Sequence, residues 1–166
     1  MRATHRISAL LLLLAMLVCT VGCAKTREHI HCELGISLPR EYEKVDIEQY
    51  DLAMSNGEAI VGLMRLSFEA ALGEGIYSTH SPYAFAELYT VILGMEDTTV
   101  EEHGDVPYFT YTRQSSGGDY FYMATFYRTH YAYFIITFIC PLELEGGYRV
   151  NFLSYTEQVF VLPEYT

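Results

Sequence analysis

The chain has 166 residues, a length that suits one domain and allows a buried core. It carries 21 acidic and 10 basic side chains, which give a formal charge of −11 at pH 7. This acidity argues against nucleic acid and anionic lipid headgroups as partners, because both would be repelled.

The first 22 residues have the layout of a secretory signal peptide. Two early arginines precede an uncharged run over 7–18, which is shorter than the roughly 20 residues that span a bilayer as a helix. Thr20-Val21-Gly22-Cys23 then resembles a bacterial lipobox, in which the cysteine thiol receives a diacylglyceryl group and becomes the new N-terminus. An ordinary secretory signal followed by a chance cysteine is the alternative. We expect 1–22 to be a lipoprotein signal peptide and Cys23 to be the lipidation site.

Such an anchor would place the protein on the extracytoplasmic face of the cell membrane or the outer membrane. A glyceride anchor supplies at least two acyl chains, which suffice for stable attachment. The mature chain would keep eight basic and 21 acidic residues, a formal charge of −13. We interpret 23–33 as a polar tether from the lipidated Cys23 and 34–166 as a single domain.

Two cysteines remain after the leader and the lipidation site are set aside, namely Cys32 and Cys140. In an extracytoplasmic compartment two such residues can form a disulfide. They meet only if the end of the strand that holds Cys140 lies beside the start of the first strand. A disulfide and two separate thiols both remain open.

The first half of the domain predicts extended chain and one hairpin. A short strand at 35–39 ends in proline, and 42–47 is a second extended piece. Asn56-Gly57 favours a type I′ turn, so its flanking segments should form an antiparallel hairpin. In the second strand of this hairpin the alternate residues expected to be buried are Ile60, Gly62, Met64, Leu66 and Phe68.

The second half begins with a helix signal, in which Ser81 caps the free amides and Pro82 occupies the first position. Gly94 is expected to end this helix. Its predicted core face consists of Phe85, Leu88, Tyr89 and Ile92. Strands should follow at 98–102, 108–114 and 120–127. The apolar spacing over 148–159 predicts a C-terminal helix, with an extended 159–161 as the alternative for its end.

The aromatic stretch 119–140 predicts the centre of the fold. Its two runs, 120–127 and 131–140, are separated by a short polar loop and predict a hairpin. Both alternate sets of the second run are apolar, so this strand must be covered on both faces. We therefore predict an α+β fold whose mainly antiparallel sheet is flanked by helices on both faces.

The order of these elements resembles the superfamily of the photosystem II extrinsic protein PsbP, the Ran-binding import factor Mog and bacterial lipoproteins of the DcrB type. The resemblance covers nearly all of 34–162 and depends on Ile36-Ser37-Leu38-Pro39, Tyr42, Asn56-Gly57, Ser81-Pro82-Tyr83-Ala84, the hairpin at 120–140, Tyr148 and Phe152. It implies a PsbP-like α/β/α sandwich with a sheet of about six or seven strands. Its members share no reaction and mostly act as accessory or binding proteins.

A search for chemistry finds no nucleophile elbow, zinc-protease motif, phosphate-binding loop or Cys-x-x-Cys pair. His29, His31 and Cys32 are the best metal candidates, because imidazole and thiol groups bind zinc or copper. Three ligands in a tether do not close a site, so no metal is predicted. The acidic segment 101–105 suggests calcium or acid–base chemistry, and 115–119 suggests an anion cradle, but hairpin turns explain both better.

We therefore expect neither an enzyme nor a cofactor. The leading hypothesis is a membrane-anchored accessory lipoprotein that binds an unknown protein or envelope component without catalysis. Glycine-rich loops and tyrosines at strand ends would suit a recognition edge, although tyrosines that rim the core are the alternative. A second hypothesis is a lipoprotein that binds a small ligand or metal, through 29–32 or through a pocket beside the helix that Ser81 opens.

Overall fold

Residues 26–165, the part of the chain that this computed structural model describes, form ten strands and three α-helices. The leader and Cys23 lie outside the described residues, and so do the predictions of a signal peptide and a lipidation site. In chain order the elements are β1 (Thr26–His31), β2 (Leu34–Pro39), β3 (Glu43–Val45), β4 (Leu52–Ser55), β5 (Ile60–Ser67), α1 (Phe68–Gly73), α2 (Pro82–Ile92), β6 (Glu101–His103), β7 (Val106–Ser115), β8 (Gly118–Arg128), β9 (Ala132–Pro141), α3 (Glu145–Thr156) and β10 (Val159–Val161).

Seven of the strands form one antiparallel sheet in the order β3-β4-β5-β9-β8-β7-β6. Strand β9 is the middle strand, and its Ile136 lies opposite Leu63 of β5 and Thr125 of β8. Every residue of β9 before Pro141 is buried. The predicted α+β fold, with an antiparallel sheet centred on the aromatic hairpin, is therefore confirmed.

A second sheet joins the two ends of the described chain in the order β1-β2-β10. Strand β1 pairs antiparallel with β2 over its whole length, from Thr26 opposite Pro39 to His31 opposite Leu34. The tether predicted at 23–33 is therefore wrong over Thr26–His31. This polar segment is an edge strand whose inward-facing backbone groups pair with β2, a partner that hydrophobic periodicity does not reveal.

Successive side chains of β9 enter two different hydrophobic clusters. Phe138 belongs to the first cluster, which contains β2 and Phe152 of α3, and the centroids of these two rings lie 5.1 Å apart. Tyr133 belongs to the second cluster, where its ring lies 4.4 Å from that of Phe85 of α2. The burial predicted for both alternate sets of this strand is confirmed.

The hairpin predicted at Asn56-Gly57 is present, but its turn differs from the prediction. Ser55 pairs with Ile60, so four residues connect β4 to β5. Gly57 has a φ of 92° whereas Asn56 has no positive φ, and a type I′ turn needs both. The Asn56 Oδ1 instead accepts hydrogen bonds from the amides of Glu58 and Ala59. The side chain closes the loop, which explains why asparagine is favoured here without a left-handed backbone.

The buried side of β5 also differs from the prediction. Val61 and Leu63 are completely buried in the first cluster, whereas Met64 and Leu66 are half-buried beside the second. The predicted set is the more apolar one, because the other set contains Arg65 and Ser67. Arg65 is accommodated beside Val61 and Leu63 through its ion pair with Glu33, which alternation alone could not reveal.

Both long predicted helices are present. The Ser81 hydroxyl accepts a hydrogen bond from the Ala84 amide at 3.1 Å and caps α2, and Gly94 follows its end with a φ of 67°. Helix α3 covers most of the predicted C-terminal helix, and the remainder forms β10. Within residues 26–165 no helix is both long and apolar enough to cross a membrane.

A half-buried ion pair links the turn between β1 and β2 to the large sheet. Glu33, only 4% exposed, accepts two hydrogen bonds from Arg65 of β5, from Nε at 2.9 Å and from Nη2 at 2.7 Å. The hydrogen bond from Arg65 holds the pKa of the Glu33 carboxyl below its usual range. The two-point geometry of this pair fixes the position of the small sheet relative to β5.

Replacement of Arg65 by methionine should lower the free energy of unfolding at pH 7 by about 1–3 kcal/mol, because it leaves a buried carboxylate unpaired. The stabilisation is complete above the pKa of an unfolded glutamate, about 4.3. It is lost as the pH falls through the lower pKa of the folded state. Urea unfolding at neutral and acidic pH would measure this.

The control for this experiment is Glu157→Gln, which removes the exposed His103–Glu157 pair. It should change stability by less than about 0.5 kcal/mol. An Arg65→Met deficit of equal size at neutral and acidic pH would contradict the charge pairing.

A second prediction concerns Gly62 of β5. The Tyr50 ring lies against this glycine, and a Cβ atom there would approach ring carbons to 2.6 Å. Gly62→Ala should destabilise by about 1–3 kcal/mol through this clash. Gly73→Ala is the control, because nothing lies within 4 Å of its Cβ position. Thermal and urea unfolding of both variants would test this, and equal stability of Gly62→Ala and the wild type would refute it.

Candidate functional site

The residues considered for metal binding do not converge. His29 and His31 lie on one side of β1, whereas Cys32 occupies the turn after it, with a φ of 51° and an exposed side chain. His29 is 9% exposed and its Nε2 has no hydrogen-bond partner. Burial and the neighbouring Arg27 lower the pKa of His29. Across residues 26–165 no three His, Cys, Asp or Glu side chains are grouped to hold a metal ion.

The two cysteines of the domain are both free thiols. Cys32 is exposed, whereas Cys140 is buried in β9 and only 1% accessible. Of the two alternatives, the structure has the separate thiols and no Cys32–Cys140 disulfide, because one thiol lies on the surface and the other inside the first cluster. Burial raises the pKa of the Cys140 thiol to about 11, which keeps it protonated and unreactive at neutral pH.

The segments considered for calcium binding, acid–base chemistry or anion binding are hairpin turns, which is the interpretation that the sequence analysis favours. Segment 101–105 comprises β6 and its turn into β7, in which Gly104 has a φ of 61°. Its His103 Nε2 lies 2.9 Å from Glu157 Oε1. Segment 115–119 contains the turn between β7 and β8, where Ser115 pairs with Gly118.

A group of half-buried tyrosines lies beside α2. Tyr111 stacks on Tyr122 with ring centroids 4.8 Å apart, and the Arg113 guanidinium lies 5.3 Å from the Tyr111 ring. Burial raises the pKa values of Tyr50, Tyr89 and Tyr111. These hydroxyls are therefore shielded from water, which favours the interpretation that the tyrosines rim the second cluster. A cavity of about 260 Å³ opens beside them between Tyr89 and Arg65.

Helix α2 has a second apolar side whose largest side chains are substantially exposed. Phe85, Ala86 and Thr90 are its buried residues. The opposite side, which we call the α2 surface, consists of Tyr83, Ala84, Leu88, Val91 and Ile92. Val91 is 54% exposed, Ile92 45% and Tyr83 37%. Since residues three and four apart are neighbours on a helix, Leu88, Val91 and Ile92 form a continuous apolar stripe with Ala84. Glu87 separates Tyr83 from this stripe.

This arrangement corrects the predicted core face of the helix. Phe85 is buried, and Leu88 and Tyr89 are half-buried against the second cluster as expected, but Ile92 is largely exposed. The small residues Ala86 and Thr90 face the sheet instead. Because the helix has apolar residues on every side, periodicity could not identify the buried one.

Exposed single apolar residues are common on proteins, but a contiguous stripe is a sign of an interaction site. Val150 of α3 shows the contrast. It is 69% exposed, and of its neighbours on the helix, Gly146, Gly147, Leu153 and Ser154, only the half-buried Leu153 is apolar, so α3 has no exposed apolar stripe. The α2 surface is therefore the candidate binding surface of the molecule. The sequence carried a signal for it, because Glu87 is the single charged residue of α2.

Comparison with known proteins finds similarity in structure alone. No family model matches the chain, and no curated protein matches it in sequence. The solution structure of the cyanobacterial PsbP (CyanoP) of Synechocystis sp. PCC 6803 matches at 10% identity with a TM-score of 0.53, over 86% of this chain and 96% of that one.

Two further solved structures are similar. A Bacteroides thetaiotaomicron protein matches at 12% identity with a TM-score of 0.58, over 83% of this chain. The match spans 49% of the Bacteroides protein, about half its length. The Saccharomyces cerevisiae Ran-binding protein Mog1p matches at 9% identity with a TM-score of 0.48, over 83% of this chain and 96% of that one. The chain thus has a PsbP-like fold, a loose similarity at the level of architecture.

Proposed function

We propose that this protein is a membrane-anchored extracytoplasmic lipoprotein whose domain binds a protein partner without catalysis. The observation that carries the proposal is the α2 surface, on which Val91 and Ile92 are 54% and 45% exposed in a continuous apolar stripe. Burial of such a stripe against a partner would remove aliphatic area from water, at roughly 25 cal/mol per Å². The placement of 101–105 and 115–119 in hairpin turns supports a non-catalytic role.

The anchor would hold the domain close to the bilayer. Only Ala24 and Lys25 separate Cys23 from the start of β1. A fully extended connection from Cys23 to Thr26 spans at most about 10 Å. The partner would therefore be another component at the membrane surface, since the domain cannot reach far from its lipid.

We also infer that helices cover both faces of the large sheet, as in an α/β/α sandwich. Tyr133 contacts Phe85 of α2, and Phe138 contacts Phe152 of α3. Residues an odd number apart in a strand point to opposite faces, so the two helices should lie on opposite sides. In this arrangement α2 is an outer layer, and its second side is available to a partner.

The alternative function is binding of a small ligand or a metal. The cavity of about 260 Å³ lined by Arg65 and Tyr89 favours a ligand, and the unpartnered Nε2 of His29 favours a metal. Elemental analysis of the purified protein, with thermal unfolding in the presence of zinc and copper, separates these functions. A stoichiometric metal would favour the alternative.

Replacement of Cys23 by alanine tests the anchor. In cells given a labelled palmitate analogue, the wild-type protein should carry the label and Cys23→Ala should not, because its acyl acceptor is gone. Cys32→Ala is the control and should remain labelled, since its thiol is not part of the lipobox. Label on Cys23→Ala would show that this residue is not the lipid attachment site.

The double substitution Val91→Ser/Ile92→Ser tests the binding surface. Its stability should change by less than about 1 kcal/mol, because both side chains are substantially exposed. Its affinity for a partner isolated from native membranes should fall at least about tenfold, because apolar contacts are lost. Val150→Ser is the matched control, with an isolated exposed valine on α3. Unchanged affinity of the double variant would remove the α2 surface as the binding site.

A further inference from the structure

The sequence around α2 has an extreme charge distribution. No lysine or arginine occurs between Arg65 and Arg113, whereas eight acidic residues do, which gives a formal charge of −8. This segment contains α1, α2 and β6. Its acids are Glu69, Glu74, Glu87, Glu96, Asp97, Glu101, Glu102 and Asp105.

All eight of these carboxylates are exposed. The ion pairs found among residues 26–165 use other acids, namely Glu33, Glu145 and Glu157. The eight acids are therefore not neutralised by neighbouring cations within the described chain. Their mutual repulsion is a cost that a cationic partner would relieve.

Two of these acids follow the α2 surface in the chain, and a third lies on the same side of the helix. Glu87 is on the exposed side of α2, four residues after Tyr83 and four before Val91. Glu96 and Asp97 are exposed directly after Gly94, where the helix has ended. The exposed end of the apolar stripe is therefore followed by negative charge.

The arginines that approach this segment contact uncharged groups in it and not its acids. Arg113 stacks on the Tyr111 ring, and the Arg128 Nε donates a hydrogen bond to the Ser78 carbonyl at 3.0 Å. The Arg128 guanidinium also lies over the Phe68 ring, with its carbon 5.5 Å from the ring centroid. Neither arginine forms an ion pair with the acids around α2.

This charge distribution discriminates among the partners that could bind the apolar α2 surface. A second copy of the chain would bring the same −8 segment to a symmetric interface and would be repelled. An anionic bilayer surface would be repelled for the same reason. A segment with apolar residues flanked by Lys or Arg would satisfy both the stripe and its acids.

We propose that the α2 surface binds a cationic amphipathic segment of a partner protein, with its apolar side on Leu88, Val91 and Ile92 and its basic residues beside Glu87, Glu96 and Asp97. This inference rests on the proposed protein-binding function and adds the chemistry of the partner. Attraction to the acids would speed the encounter, and burial of the aliphatic stripe would hold the complex.

The test uses the full mature protein in phosphatidylcholine nanodiscs, with empty nanodiscs as the blank. The probe is a helical Leu/Lys peptide of about 18 residues, five turns, with one tryptophan. The protein has no tryptophan, so the fluorescence reports on the peptide alone. A Leu/Glu peptide with the same apolar side is the matched probe.

The Leu/Lys peptide should bind at least about tenfold more tightly than the Leu/Glu peptide, and added salt should weaken this binding, because charges at a protein surface are screened. Val91→Ser/Ile92→Ser should weaken it at least about tenfold. Glu87→Gln/Glu96→Gln/Asp97→Asn should weaken it at least about threefold at low salt. The controls Val150→Ser and Glu143→Gln/Glu164→Gln, which lie outside the segment, should leave it unchanged.

Equal binding of both peptides that still depends on Val91 and Ile92 would overturn the cationic partner and leave the proposed binding surface intact. Binding of the Leu/Lys peptide that none of the α2 variants weakens would overturn the assignment to this surface, and so would no binding. A dimer that Val91→Ser/Ile92→Ser dissociates in sedimentation would identify a second copy as the occupant and overturn the inference.

Discussion

The fold depends on a single strand, β9, that is buried on both faces and paired along both edges. Its side chains enter the two hydrophobic clusters in turn, so Phe138 supports the packing of α3 and Tyr133 supports that of α2. Its neighbours β5 and β8 provide partners for its backbone along nearly its whole length. In the large sheet β4 and β7 are attached to β9 through one neighbour and β3 and β6 through two, and every residue of β9 before Pro141 is buried.

The features that local chemistry determines were predictable from the sequence. The Ser81 cap, the stop at Gly94 and the aromatic hairpin each follow from side-chain types within a few residues. The features that depend on distant partners were not. Strand β1 has no apolar alternation, and it forms because β2 offers its edge. A disulfide between Cys32 and Cys140 depended on spatial placement, which the sequence leaves undetermined.

The apolar residues on all sides of α2 make its outer side a candidate binding surface, and they also prevented the prediction of that surface from the sequence. A helix with apolar residues on all sides offers several equivalent core faces, and the selection among them was made by the small side chains Ala86 and Thr90. These residues fit close to the sheet, so Val91 and Ile92 were left in water. The absence of basic residues from 66–112 was visible in the sequence, but its meaning required the exposed stripe beside it.

The pairing of β2 with β10 has a consequence for the order in which the molecule can form. Val159 of β10 lies opposite Ile36 of β2, so the small sheet joins residues from the two ends of the described chain. A ribosome makes β10 last, and a two-stranded hairpin of β1 and β2 is only marginally stable by itself. The N-terminal segment therefore stays without its final partner until synthesis is nearly complete.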